Sequence, residues 1–80
     1  MDLDLVSQLA KRWGYTIPNK ELEPQPQARY ITGSWRTDAL VYLFEQESGL
    51  EITLSSGFGK ITSCVIIDEA KFTLFLLRWT

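Results

Sequence analysis

The residues of this sequence that could perform chemistry are six serines, one cysteine and several clustered carboxylates. A serine or cysteine nucleophile needs a neighbouring base, and the chain contains no histidine. Cys64 is the only cysteine, and its apolar flank Val65-Ile66-Ile67 predicts a thiol buried in a strand. One cysteine cannot form a structural zinc site. We therefore expect no catalytic residue, no metal and no cofactor, and a protein that is not an enzyme.

Acidic residues flank two predicted turns, where a pair of carboxylates could act as acid and base. These residues are Glu45, Glu47, Glu51, Asp68 and Glu69. Acids beside turns are ordinarily solvated, so a catalytic pair is the weaker interpretation. The stretch Gly57-Phe58-Gly59-Lys60 lacks the further glycine and the following helix that a phosphate-binding loop needs. It is interpreted as a turn.

Size and composition indicate a single domain spanning residues 1–80. The chain is 45% hydrophobic and 22% charged, which is typical of a globular protein. No apolar run approaches the roughly 20 residues of a membrane-spanning helix, and the acidic start does not resemble a signal peptide. With a single cysteine, these features predict a soluble cytoplasmic protein without a membrane partner. A net charge of −2 argues against duplex DNA as a ligand.

Two cation–aromatic pairs, Arg29-Tyr30 and Trp35-Arg36, offer an alternative in which the protein binds single-stranded nucleic acid. Stacked bases need aromatic faces with positive charge nearby. On a strand, however, Tyr30 and Trp35 differ in parity and are expected to point to opposite faces. The nucleic-acid alternative is therefore weak.

The first element that the periodicity predicts is an amphipathic helix over residues 2–13. Its apolar stripe consists of Leu5, Val6, Leu9, Ala10 and Trp13. Asp2 or Asp4 is expected to cap the helix, and Gly14 is expected to end it in the left-handed conformation. Residues 14–28 contain all three prolines and are predicted to form an extended connector.

After the connector, β-branched and aromatic segments separated by turn residues predict strands at 29–36, 39–46, 50–55, 61–67 and 71–79. Leu50–Leu54 alternates cleanly between apolar and polar residues. An alternative for 38–47 is a helix capped by Thr37 or Asp38, but its six consecutive apolar residues favour a strand. The expected fold is α+β, with the N-terminal helix packed on a five-stranded antiparallel meander or small open barrel over residues 29–80.

Residues 31–79 resemble small lipocalin-like and avidin-like β-meander modules. The resemblance is carried by Gly33-Ser34-Trp35 and by the aromatic Tyr42-Leu43-Phe44 that precedes a Glu-Ser-Gly turn. It implies that Trp35 closes one end of a barrel whose interior holds a small hydrophobic ligand. Lipocalin-type barrels use about eight strands, whereas five strands form only an open sheet or a small filled barrel.

The predicted strands are apolar on both faces, and one three-turn helix cannot cover both. We therefore expect a non-enzymatic interaction or regulatory module that binds another protein, or a second copy of itself, through an apolar sheet face. The alternative is a carrier of a small hydrophobic ligand. The residues predicted to bind partner or ligand are Trp35, Tyr42, Phe44, Phe75 and Trp79.

Overall fold

The computed structural model of the chain describes residues 2–17, 22–31, 33–55 and 60–79. These contain three helices and one antiparallel pair of strands, in the order α1 (Leu3–Gly14), α2 (Trp35–Ser48), β1 (Leu50–Leu54), β2 (Ile61–Ile66) and α3 (Glu69–Trp79). The class is α+β, as expected. The five-stranded meander or small open barrel is wrong, because the described residues form a single two-stranded sheet.

Helix α1 forms where the apolar stripe predicted it. The Asp2 carboxylate caps its first turn by accepting hydrogen bonds from the backbone N–H groups of Asp4 and Leu5. Val6, Leu9 and Trp13 are buried against the rest of the fold. Gly14 lies inside the helix without a positive φ, so its predicted left-handed conformation is wrong.

The described residues of 29–36 and all of 39–46, predicted as the first two strands, form no strand. The second range lies inside α2, so the alternative of a helix over 38–47 is correct, but its expected cap at Thr37 or Asp38 is wrong because α2 already begins at Trp35 with Ser34 at the N-cap position. This helix contacts α1, α3 and β1, and it is therefore apolar on more than one side. Its end is marked by Gly49, which has a φ of 71° and donates its N–H to the Glu45 carbonyl at 3.1 Å.

The predicted strand at 71–79 is also a helix, α3. Its core-facing residues recur at helical spacing, and they are Phe72, Phe75, Leu76 and Trp79. The Asp68 carboxylate accepts a hydrogen bond from the N–H of Lys71 at 3.1 Å, which caps the first turn. Leu74 and Leu77 lie on the opposite, exposed side, and this second apolar side favoured the strand interpretation.

Strands β1 and β2 confirm the other two predicted strands. Leu50 lies opposite Ile66 and Ile52 lies opposite Cys64, with an irregularity in register after Thr53. Leu50 and Ile52 point inward and are buried, whereas Glu51 and Thr53 point outward and are exposed. The predicted turn between the strands includes residues 56–59, and these lie outside the described residues.

All five elements contribute to one hydrophobic core. Its buried members are Val6, Leu9, Trp13, Val41, Phe44, Leu50, Ile52, Ile61 and Phe75. Helix α1 lies against β2 and α2 lies against β1, so the helices cover the inner face of the sheet. Its outer face is exposed to solvent.

Candidate functional site

Three of the predicted binding residues belong to the core rather than to an open surface. Phe44 and Phe75 are buried, and their ring centroids lie 5.4 Å apart in an edge-to-face arrangement. Trp13 contacts the other side of Phe44, and Trp79 contacts Phe75 at 6.1 Å. This row of rings joins all three helices, so its first role is packing.

The other two predicted binding residues lie elsewhere on the molecule. Tyr42 donates its hydroxyl to the Gln27 side-chain oxygen at 2.7 Å. Trp35 is exposed, and the Arg36 guanidinium lies 5.3 Å from its ring centroid. Trp35 and Tyr30 line the same cleft, of about 200 Å³, so the expectation that they point to opposite faces is wrong. All five predicted residues lie on helices and none on a sheet: α2 carries Trp35, Tyr42 and Phe44, and α3 carries Phe75 and Trp79.

Side chains close the outer edge of β1. The Glu45 Oε2 atom accepts hydrogen bonds from the Ile52 N–H at 2.9 Å and from the Arg29 guanidinium at 2.8 Å. Arg29 also donates to the Ile52 carbonyl at 3.3 Å, and the Ser48 hydroxyl accepts the Leu50 N–H at 3.3 Å. Three of the backbone groups that an added strand would need on β1, the N–H and C=O of Ile52 and the N–H of Leu50, are therefore already bonded.

The edge of β2 is open. Because the Ile52 N–H donates to Glu45 instead of β2, Ile52 and Cys64 form a non-hydrogen-bonded pair, and the Cys64 backbone groups point away from β1. Ile66 has the same orientation, since it lies opposite Leu50. Ile67 donates its N–H to the Gly49 carbonyl at 2.8 Å, and the alternation that follows leaves Ile66 and Cys64 without ladder bonds. Outside the ladder, no hydrogen bond between described residues reaches the backbone N–H or C=O of Cys64 or Ile66. Side chains of the described residues therefore bond the edge of β1, whereas none of them bonds the edge of β2 at Cys64 or Ile66.

The residues along the open edge are apolar or neutral. The stretch 61–67, Ile-Thr-Ser-Cys-Val-Ile-Ile, contains no charged side chain, and Lys60 and Asp68 bracket it. Val65 is 56% exposed, Ile66 37% and Ile67 66%. Natural edge strands are commonly protected by lysine, proline or a covering element. The open edge carries neither of those residues, and we define Cys64, Val65, Ile66 and Ile67 as the β2 edge surface.

Cys64 lies partly buried within this surface. Burial, as the main cause, raises the pKa of its thiol above the ordinary value. A neutral thiol is a poor nucleophile, so the environment of Cys64 is that of a packed side chain.

Two other concave regions are less suited to a ligand. The larger, of about 510 Å³, contains both members of the Arg29–Glu45 ion pair together with Glu51, Asp68 and Lys71. In the described ranges no group of three or more His, Cys, Asp or Glu side chains could hold a metal ion. The other region is an apolar cleft of about 150 Å³ beside Trp13. Sites for drug-sized ligands usually have about 300–1,000 Å³.

Sequence reasoning missed the open edge, although its composition was visible. The charge-free run between Lys60 and Asp68 is the signal. The sequence could not show that the side chains of Glu45 and Arg29 would bond the Ile52 backbone at the edge of β1. It therefore could not show that the edge of β2 would be the one without such bonds from the described residues.

Comparison with known proteins gives no match: no family model, no curated protein and no solved structure resembles the chain significantly. None of the helices in the described ranges has both the length and the hydrophobicity needed to cross a bilayer.

Proposed function

We propose that this protein is a non-enzymatic interaction module that binds another protein chain by adding a strand of that chain to the free edge of β2. The observation that carries the proposal is the difference between the two edges of the hairpin. On β1, side chains bond the N–H and C=O of Ile52 and the N–H of Leu50. On β2, the backbone N–H and C=O groups of Cys64 and Ile66 point outward and take no bond from the described residues. In strand addition these main-chain groups supply the affinity.

The side chains of the β2 edge surface supply specificity in this proposal. Val65 points to the outer face, where it lies opposite Glu51 of β1. A strand added beside β2 would place its own side chains next to Val65 and cover apolar area that is exposed in the free protein. The absence of charge along 61–67 favours an uncharged or apolar partner strand.

A carrier of hydrophobic ligands receives less support. The apolar cleft beside Trp13 has about half the smallest volume usual for such sites, and the predicted ligand residues Phe44 and Phe75 are occupied in core packing. The strands that would have formed a concave binding face at 39–46 and 71–79 are helices.

The test compares Val65→Lys with Thr53→Lys. Both residues are exposed on the outer face of the same sheet, and both changes add one positive charge. Only Val65 lies on the open strand, so an added strand would meet the charge of Val65→Lys. We expect wild type and Thr53→Lys to bind the same partner chain equally well, whether that chain is another protein or a second copy, and Val65→Lys to bind it at least about tenfold more weakly.

Hydrogen exchange provides the structural readout of the same experiment. The amide hydrogens of Cys64 and Ile66 are expected to exchange quickly in the free protein and slowly in the complex, because strand addition bonds them. Equal binding by Val65→Lys and wild type, or unchanged exchange at these two amides on partner binding, would refute the proposed function.

A further inference from the structure

We infer that the strand that pairs with β2 is β2 of a second copy of this chain, in antiparallel orientation about a two-fold axis. The inference rests on the proposed strand addition and names its occupant. Strand edges are suited to such pairing, because in a two-fold interface the same patch serves both subunits. The open N–H and C=O groups of Cys64 would then each meet the complementary group of the second Cys64.

Charge complementarity selects the second copy as the partner. Lys60 lies four positions before Cys64 and Asp68 four positions after it, with no charged residue between them. β2 spans Ile61–Ile66, so Lys60 and Asp68 flank the segment that pairs. In antiparallel pairing centred on Cys64, Lys60 of each copy flanks the same end of the paired segment as Asp68 of the other. Parallel pairing would instead place Lys60 near Lys60. The sequence of this edge is therefore complementary to itself in one orientation only.

Both charged groups are available for this contact. The ion pair within the described residues joins Arg29 and Glu45, so neither Lys60 nor Asp68 has a salt bridge to that part of the chain. One oxygen of the Asp68 carboxylate accepts the Lys71 N–H, and the other is free of any hydrogen bond to the described residues. Both side chains are exposed and can reach across an interface.

The closed edge of β1 limits the assembly to two copies. Pairing through β2 gives a four-stranded sheet with the order β1, β2, β2, β1, and both of its outer edges are β1. There the Glu45 and Arg29 side chains already occupy the Ile52 backbone groups. These bonds oppose the addition of a further strand, so we expect the two-fold pairing to close instead of extending into a filament.

Sedimentation velocity over a range of protein concentrations tests the inference. Wild type is expected to form a dimer with increasing concentration, and Thr53→Lys is expected to dimerise equally. Val65→Lys is expected to weaken dimerisation at least about tenfold, because the charge lies beside the paired strand. Lys60→Glu replaces the two attractions between Lys60 of one copy and Asp68 of the other by two repulsions between carboxylates. This variant is expected to weaken dimerisation about tenfold.

A charge exchange gives the sharper result. Lys60→Glu and Asp68→Lys should each dimerise weakly alone, whereas an equimolar mixture of the two should form a heterodimer as stable as the wild-type dimer. In the mixture every residue 60 again meets an opposite charge at residue 68. Since Asp68 caps α3, helical circular dichroism of Asp68→Lys is checked at low concentration, and Lys60→Glu tests the charge contact independently if that variant unfolds.

Two results would overturn the inference. One is a wild-type protein that stays monomeric at about millimolar concentration. The other is a dimer that neither Val65→Lys nor Lys60→Glu weakens. The proposed function is judged separately, because a monomer whose Cys64 and Ile66 amides become protected on binding a different protein would retain strand addition while excluding the second copy.

Discussion

The Glu45 carboxylate bonds the Ile52 N–H at the edge of β1, and removing this carboxylate tests the contact directly. In Glu45→Ala the Ile52 N–H loses its acceptor and Arg29 loses its ion-pair partner. A partly buried N–H without a partner costs about 1–3 kcal/mol. The ion pair adds at most about 1 kcal/mol, because half of the Arg29 side chain is exposed. We expect the free energy of unfolding to fall by about 2 kcal/mol.

Circular dichroism at the helical minimum, with thermal and urea unfolding at low protein concentration, measures this loss. For a domain of this size, about 2 kcal/mol corresponds to a decrease of roughly 8–16 °C in Tm. Glu51→Ala is the matched control, since Glu51 is exposed on β1 and is expected to change stability by less than about 0.5 kcal/mol. Glu45→Gln retains an oxygen that can accept the Ile52 N–H, so a smaller loss is expected. If Glu45→Ala is as stable as Glu51→Ala, the Glu45 carboxylate does not stabilise the edge of β1 through the Ile52 N–H.

Two further predictions concern Gly49 and Cys64. Gly49→Ala is expected to lower the free energy of unfolding by at least about 2 kcal/mol, because Gly49 has a positive φ and the new Cβ would clash with the Asp68 carbonyl. Gly14→Ala is the control and should raise the free energy of unfolding by about 0.5–1 kcal/mol, since Gly14 lies in a helix with open space around it. Urea unfolding measures both changes. Burial raises the pKa of the Cys64 thiol, so the folded state holds the thiol proton more tightly than the unfolded state and ionisation of the thiol favours unfolding. Above the thiol's unfolded pKa, the stability of wild type relative to Cys64→Val should therefore decrease as pH rises, and a difference independent of pH would contradict the assignment.

Local patterns predicted those elements that have one apolar face. The stripe of α1 and the alternation of Leu50–Leu54 each have a single period, and both elements formed where predicted. Helices α2 and α3 are apolar on several sides, so their composition resembled that of buried strands. The boundary residues Gly49 and Asp68 were the more informative signals, because a left-handed glycine ends α2 and a carboxylate caps α3.

The candidate site was less predictable than the fold, because it is defined by what other residues do. Trp35, Tyr42, Phe44, Phe75 and Trp79 were selected for their aromatic character, which serves the core and a binding surface equally well. The β2 edge surface becomes visible only after Glu45 and Arg29 are placed on the opposite strand. Whether a strand edge is free depends on tertiary contacts, and no local pattern contains that information.

The two edges of this hairpin link stability to assembly through the same carboxylate. In the proposed dimer the two copies pair through β2, and the sheet ends at β1 on both sides. Removing Glu45 frees the Ile52 N–H and takes away the ion-pair partner that holds Arg29 beside the Ile52 carbonyl, so the edge of β1 loses much of its protection against pairing. A chain with two free edges can extend at both ends, which is the arrangement that leads to open-ended aggregation. In the proposed assembly Glu45 therefore does more than stabilise β1, because its bond to the Ile52 N–H also helps to stop strand pairing at two copies.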